Sequence, residues 1–240
     1  MERTTEAKRT VAEIGAYFDG EVERFSDLSA GQSSIKDARL MMDILAEASV
    51  ALVPGAAEIL DVGCGAGNQT LNLLRSFPGA CCTLVDVSPA MLERARDRVG
   101  AVAPGRVRLI EGDFRFAPLP EESFDLVVSA AVLHHLRDEE DWKRSIAKLH
   151  SVLKPGGVLL VSDLIRHANS NVERLFGVRY ERFLRETLGD AEAKRILRSI
   201  AESDTPTTLE FQIDLLRQTG FREVGILHKT LVFGAYYAVK

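Results

Sequence analysis

The segment Glu58-Ile59-Leu60-Asp61-Val62 runs directly into Gly63-Cys64-Gly65-Ala66-Gly67-Asn68. A short apolar run closed by a turn signal reads as a buried strand. Glycines at alternate positions let the backbone turn sharply and let a ligand approach the main chain. A helix is expected to begin near Asn68. A strand that passes through a glycine loop into a helix is a device by which α/β folds hold nucleotide-like ligands.

The surrounding chain agrees with an α/β organisation. Strands are expected at Glu58–Val62, Cys81–Val87, Val107–Glu111, Phe124–Ser129 and Gly157–Asp163. Helices are expected at Asn68–Ser76, Pro89–Val99 and Asp138–Leu153. Ser88 is placed to cap the second of these, with Pro89 in its first turn. Lys154-Pro155-Gly156-Gly157 reads as a stop before the next strand. Such alternation argues for parallel strands covered by helices on both faces. A further helix, Thr208–Thr219, is followed by strands near Phe221–Leu227 and Leu231–Val239. Their link at His228–Thr230 is too short for a parallel crossover, so the sheet is mixed, with seven strands and an antiparallel last one.

Two helical blocks stand outside this alternation. Residues 8–52 carry an apolar stripe at Ile35, Ala38, Leu40, Met41, Ile44 and Leu45. Residues 170–201 leave the end of the fifth strand, where α/β sheets bind ligands. Both blocks are expected to act as lids on a single domain that spans 1–240.

The glycine spacing separates cofactors. A dinucleotide fingerprint needs a third glycine where this chain has Asn68. Asp61, just before the loop, would repel a pyrophosphate at the helix N-terminus and suit a ligand bearing ammonium or sulfonium. S-adenosylmethionine carries both. Asp61 through Gly67 resembles the first motif of class I S-adenosylmethionine-dependent methyltransferases. Leu84-Val85-Asp86-Val87-Ser88-Pro89-Ala90-Met91-Leu92, Glu111-Gly112-Asp113-Phe114, Phe124–Ser129 through His134-His135-Leu136, and Leu153–Gly157 are similar to the later motifs, in order. The resemblance implies a Rossmann-like fold that binds S-adenosylmethionine and releases S-adenosylhomocysteine. The glycine-loop residues Asp61, Gly63, Cys64 and Gly65 would then hold the methionine end. Asp86, with Val87 beside it, would accept from the ribose hydroxyls. Met91, Asp113 and Phe114 would surround the adenine. Ser129 and Ala130 would line the methionine portion, and Tyr17 and Arg39 would reach in from the N-terminal block.

Transfer of an activated methyl group mainly requires alignment and desolvation of the acceptor. His134 and His135 follow the fourth strand, where the acceptor would lie, and are the catalytic candidates; a base is needed only if the acceptor must lose a proton. No metal site is expected, because two adjacent histidines alone do not make one. The leading expectation is an enzyme that methylates a small-molecule acceptor. The N-terminal Phe18-Asp19 to Asp27 region and Phe233-Gly234-Ala235-Tyr236 are also similar to carboxy-S-adenosylmethionine synthases, which serve tRNA wobble-uridine modification. In that reading Lys194 or Arg195 would hold the added carboxylate. Gly31-Gln32-Ser33 and Gly63-Cys64-Gly65-Ala66 depart from that family's Gly-Tyr-Ser and Gly-Cys-Ser. A non-catalytic S-adenosylmethionine binder and a NAD(P)-binding protein complete the alternatives.

Composition narrows the partners. A net charge of -5 with well-mixed signs, and no Asn/Asp-Pro-Pro-aromatic motif, argue against a nucleic-acid substrate. Cys64, Cys81 and Cys82 form no CxxC pair, which fits a reducing compartment and the cytoplasm. The polar start Met1–Glu6 does not read as a signal peptide, and no apolar run is long enough for a membrane span. Oligomeric state is open, a homodimer being one candidate.

Overall fold

The computed structural model describes residues 8–240; the expectation for Met1–Glu6 lies outside them. The helices α1 (Val11–Asp19), α2 (Val22–Ser26), α3 (Leu28–Gly31) and α4 (Ala38–Leu52) precede the sheet. There follow β1 (Glu58–Val62), α5 (Asn68–Leu74), β2 (Cys81–Asp86), α6 (Pro89–Val102), β3 (Val107–Glu111) and β4 (Phe124–Ala130). A 3-10 turn (Leu133–His135) leads to α7 (Glu139–Val152) and β5 (Leu153–Leu164). The chain continues through α8 (Ser170–Leu188), α9 (Asp190–Ser203), α10 (Leu209–Thr219), β6 (Glu223–Thr230) and β7 (Phe233–Val239). The strand order is β3-β2-β1-β4-β5-β7-β6, with β7 antiparallel to both its neighbours. This is the mixed seven-stranded α/β sheet expected from the sequence.

Side-chain alternation in the strands builds one core on each face. Ile59, Leu84, Leu126 and Leu160 face Leu45 of α4, Leu73 of α5 and Ala95 of α6. Leu60, Val85, Val127 and Leu159 face Trp142 and Ile146 of α7 and Ile213 and Leu216 of α10. Ser88 caps α6 as expected, accepting from the Met91 N–H at 3.1 Å. Among the described residues no helix is long and apolar enough to cross a membrane.

Three expectations are corrected. The stop at Lys154–Gly157 lies inside β5: Leu153 already pairs with Phe124, and a bulge with Gly156 at φ 80° resets the register to Leu126 with Val158. The link between the last strands is Leu231-Val232, because β6 continues to Thr230 and Leu231 adopts a left-handed φ of 47°. The 8–52 block is not uniform. Its helix α4 packs on β5, β6 and α5 as a sheet-covering helix, with Met41, Met42 and Leu45 inward and Leu40 outward. Only α1 to α3 lie beyond the sheet's strand ends. Asp19 at the end of α1 accepts from Ser88 Oγ at 2.6 Å, which fastens this cap to the loop after β2.

The glycine loop leaves no room for a side chain at its first position. Gly63 sits at φ 65°, and a Cβ there would come within 2.3 Å of Val132 Cγ2. Gly63→Ala should therefore lower the unfolding free energy by about 2 kcal/mol or more, from overpacking and left-handed strain together. Urea unfolding with an unchanged slope and a lower midpoint is the expected result.

Candidate active site

The carboxyl ends of β1, β2 and β4 border a cavity of about 220 Å³ roofed by Ile14, Phe18 and Phe25 from the N-terminal helices. It is lined by Asp61, Gly63, Cys64, Gly65, Asp86, Val87, Met91, Asp113, Phe114 and Ala130, all named from the sequence. Gly65, at φ 50°, has nothing within 4 Å of the position a Cβ would take, so its main chain is bare to the cavity. Asp86 accepts from Gly65 N–H at 2.8 Å and from Ser88 N–H at 2.9 Å. Burial raises its pKa against the pull of those N–H groups. Asp113 borders the cavity with its carboxylate already paired to Arg115, whose guanidinium also reaches Asp141 at 2.6 Å. Cys64 is a buried filler, and burial raises its thiol pKa, so it is no thiolate nucleophile.

Asp61 is a strongly perturbed acid of this cavity. Burial pushes its carboxyl up to about 7, although Thr70 Oγ1 donates to it at 2.5 Å. It has no cationic side-chain partner among the described residues. Gln69, one turn into α5, is also buried at this wall, and neither its Oε1 nor its Nε2 has a hydrogen-bond partner. Sequence reasoning passed over Gln69 because a glutamine in a helix carries no motif.

A second cavity of about 170 Å³ adjoins the first across Phe18, Ala131, His135 and Ser162. Tyr17, Arg24, Tyr180, Ile196, Ile200 and Phe233 line it, so the inserted helices α8 and α9 form one wall. Tyr180 Oη donates to Ser34 O at 3.1 Å and ties that wall to the N-terminal helices.

The histidine pair stands where the cavities meet. Asp163, at the end of β5, accepts from the N–H groups of Val132, Leu133 and His134 at 3.3, 2.6 and 3.2 Å. Its other oxygen holds His134 Nδ1. Asp204, just past α9, lies 3.8 Å from His134 Nε2 and 3.1 Å from His135 Nδ1. The latter pair is in ion-pair range, but neither ring nitrogen of His135 completes a geometric hydrogen bond. Burial works to lower the His134 pKa, but the Asp163 and Asp204 carboxylates outweigh it and hold it at about 9. Burial and the neighbouring His134 charge lower that of His135. Near neutral pH His134 is thus a clamped cation, and His135 is a neutral imidazole that borders both cavities.

The structure gathers most of the residues named from the sequence and separates a few. Tyr17 faces the second cavity, where Arg195 Nη1 donates to its hydroxyl at 3.1 Å. Ser129 is fully buried within β4, behind the cavity wall, and its hydroxyl has no partner. Arg39 lies outside both cavities, exposed on α4 and paired with Asp43 at 2.9 Å, because its position turns to solvent once Met41, Met42 and Leu45 pack inward. Lys194 is exposed, and Arg195 is engaged by Glu192 and Glu21. Asp163 and Asp204 were not singled out: the first looked like a strand end, and the second lies 69 residues beyond His135 with no motif around it.

A family model described as a methyltransferase domain matches residues 59–157. A carboxy-S-adenosyl-L-methionine synthase of Klebsiella pneumoniae is 29% identical over 99% of this chain and 97% of its own length. One of Chromohalobacter salexigens is 31% identical over 77% of this chain and 68% of its own length. Among solved structures, the Burkholderia thailandensis 1,6-didemethyltoxoflavin-N1-methyltransferase, with 1,6-didemethyltoxoflavin and S-adenosylhomocysteine bound, superposes with a TM-score of 0.65. It is 17% identical, and the match covers 99% of this chain and 93% of that one, a likeness of fold.

The Asp61 carboxyl yields a prediction that needs no ligand. It keeps its proton up to about pH 7 in the folded chain and loses it near pH 4 when unfolded. The folded state binds the extra proton in between, so this site's contribution to stability falls as pH rises across that window. Asp61→Asn should melt at a higher temperature than the unsubstituted protein near pH 8, and the gain should vanish at about pH 4.

Proposed function

Since the chain belongs to the class I S-adenosylmethionine-dependent methyltransferase family, we propose that it transfers a methyl group from S-adenosylmethionine, the family's cofactor, to a small molecule seated in the second cavity. The observation that carries this reading is the junction of the two cavities at His135, a neutral imidazole with no hydrogen-bond partner.

The first cavity suits the cofactor on its own terms. Asp61 is a buried acid that lacks a cation, Gly65 leaves bare backbone, and Gln69 has an unpartnered amide. Asp61, Gln69 and the glycine loop would hold the amino-acid end, Asp86 the ribose hydroxyls, and Met91, Phe114 and the backbone at Asp113 the adenine. When bound, S-adenosylmethionine supplies an electrophilic methyl whose thioether leaves as a neutral group. The chain's own contribution is position and dryness. Phe18 and Phe25 exclude water from the junction, Tyr180 and Phe233 bound the acceptor, and His135 takes the acceptor's proton. His134, clamped by Asp163, positions the turn that presents His135.

The end-to-end similarity to carboxy-S-adenosylmethionine synthases favours a second reading, in which a carboxylated cofactor is the product. Such an enzyme needs a cation for the added carboxylate. Among the described residues, the arginines that border the cavities are Arg115, held by Asp113 and Asp141, and Arg24, held by Glu21, and the His134 cation is held by Asp163. Mass spectrometry of small molecules that co-purify with the protein separates the readings: S-adenosylmethionine or S-adenosylhomocysteine supports methyl transfer, and a carboxylated form supports the second.

Asp86→Ala should weaken S-adenosylhomocysteine binding by about tenfold or more in calorimetry, the loss of hydrogen bonds to a charged acceptor. Undiminished affinity would remove Asp86 from the site. With methyl-labelled cofactor and an acceptor panel of phenols, amines and thiols, His135→Ala should lower kcat by about 10²–10⁴-fold while cofactor affinity holds. Unchanged turnover would end its role as proton acceptor.

A further inference from the structure

We propose that His134, His135 and Asp204 form a binding site for one divalent transition-metal ion in the wall of the second cavity. One ligand atom from each lies within 4.8 Å of the others. Asp204 Oδ1 stands 3.1 Å from His135 Nδ1 and 3.8 Å from His134 Nε2. An ion with bonds of about 2.0–2.1 Å holds its ligand atoms roughly 3–3.4 Å apart, so side-chain shifts of less than about 1 Å complete the set.

The donors identify the class of ion. Two imidazoles and one carboxylate, with open space beside them, suit zinc, cobalt or ferrous iron. Magnesium and calcium prefer an all-oxygen shell. Two further features point the same way. In the largely buried His135 ring, Nδ1 faces Asp204 Oδ1 at 3.1 Å without completing a hydrogen bond, and a bound ion between the two satisfies both atoms. Asp163 holds His134 Nδ1 and is itself anchored by backbone N–H groups, so Nε2 is turned toward Asp204, and an ion that binds there releases to solvent the proton that Nε2 carries in the cation. A carboxylate behind a ligating histidine is the usual outer support of such ions.

The consequence for turnover rests on the reading that His135 takes the acceptor's proton. An ion on Nδ1 leaves the ring's proton on Nε2, so that imidazole no longer acts as a base. Ion and transfer therefore compete for one side chain, and methyl transfer falls as the site fills.

The test is a cobalt(II) titration of the full chain after chelator treatment. A visible absorption that saturates at one equivalent and is displaced by zinc is expected. His135→Ala and Asp204→Asn should abolish it, and Asp163→Asn should weaken binding about 10–100-fold. His150→Ala, on α7 and away from both cavities, should leave it intact. Calorimetry with S-adenosylhomocysteine and thermal melts confirm that each variant is folded. No one-equivalent signal, or a signal unchanged in folded Asp204→Asn, overturns the site. Turnover indifferent to a saturated site overturns the competition. The cobalt signal does not depend on turnover, so failure of the methyl-transfer reading would leave it standing, and the reverse.

Discussion

The Asp163 carboxylate holds the functional end of this molecule together. It is buried at the end of β5 and reaches across to the turn that follows β4. There it satisfies three successive N–H groups and the His134 ring. A buried carboxylate with fewer partners would be destabilising, so its position allows the turn little choice of conformation. The left-handed Ala131, whose N–H donates to Ser162 O at 2.8 Å, enters the turn from a second point on β5. With the turn fixed, Val132 packs on Gly63 and His135 projects to the boundary between the cavities. One ionic contact thus links the glycine loop, the histidines and the second cavity.

The two cavities are built on different physical terms. The first is made by strand ends and the loops that leave them, and its polar groups are main-chain atoms and acids. Asp86 accepts from two main-chain N–H groups, and Asp61, held by the Thr70 hydroxyl, lacks a counter-charge. The second is made by helices outside the sheet. Its shape depends on contacts such as Tyr180 with Phe233, whose ring centroids are 5.4 Å apart, and on Arg137, which donates to Ser203 O and Arg9 O. Loops and helices tied by a few such contacts are where one fold changes its substrate.

Local signals made much of this legible in advance. The glycine loop, the Ser88-Pro89 cap and the first four apolar strands declare themselves within a few residues, and each stands within a residue of where it is expected. Errors arose where local signals compete. Gly156 reads as a stop in the sequence, but the ladder with β4 and the end of β7 carries β5 through it. Arg39 and Tyr17 share a helical block with cavity residues, and only the packing of that block decides which way each side chain turns.

What the sequence determined alone is the cofactor end: strand, glycines and strand-end acids are close along the chain, and their backbone geometry follows from residue type. The tertiary structure decided the second cavity and the histidine turn beside it. Asp204 meets His135 only because α8 and α9 fold back over the sheet, and Asp163 meets His134 only because β5 lies beside β4. Those contacts join residues tens of positions apart, and they also set charge, since His134 is held as a cation by acids that no local pattern assigns to it. Sequence places the two histidines just after β4, and Asp163 fixes the turn that carries them. Packing makes one a clamped cation and the other a neutral imidazole.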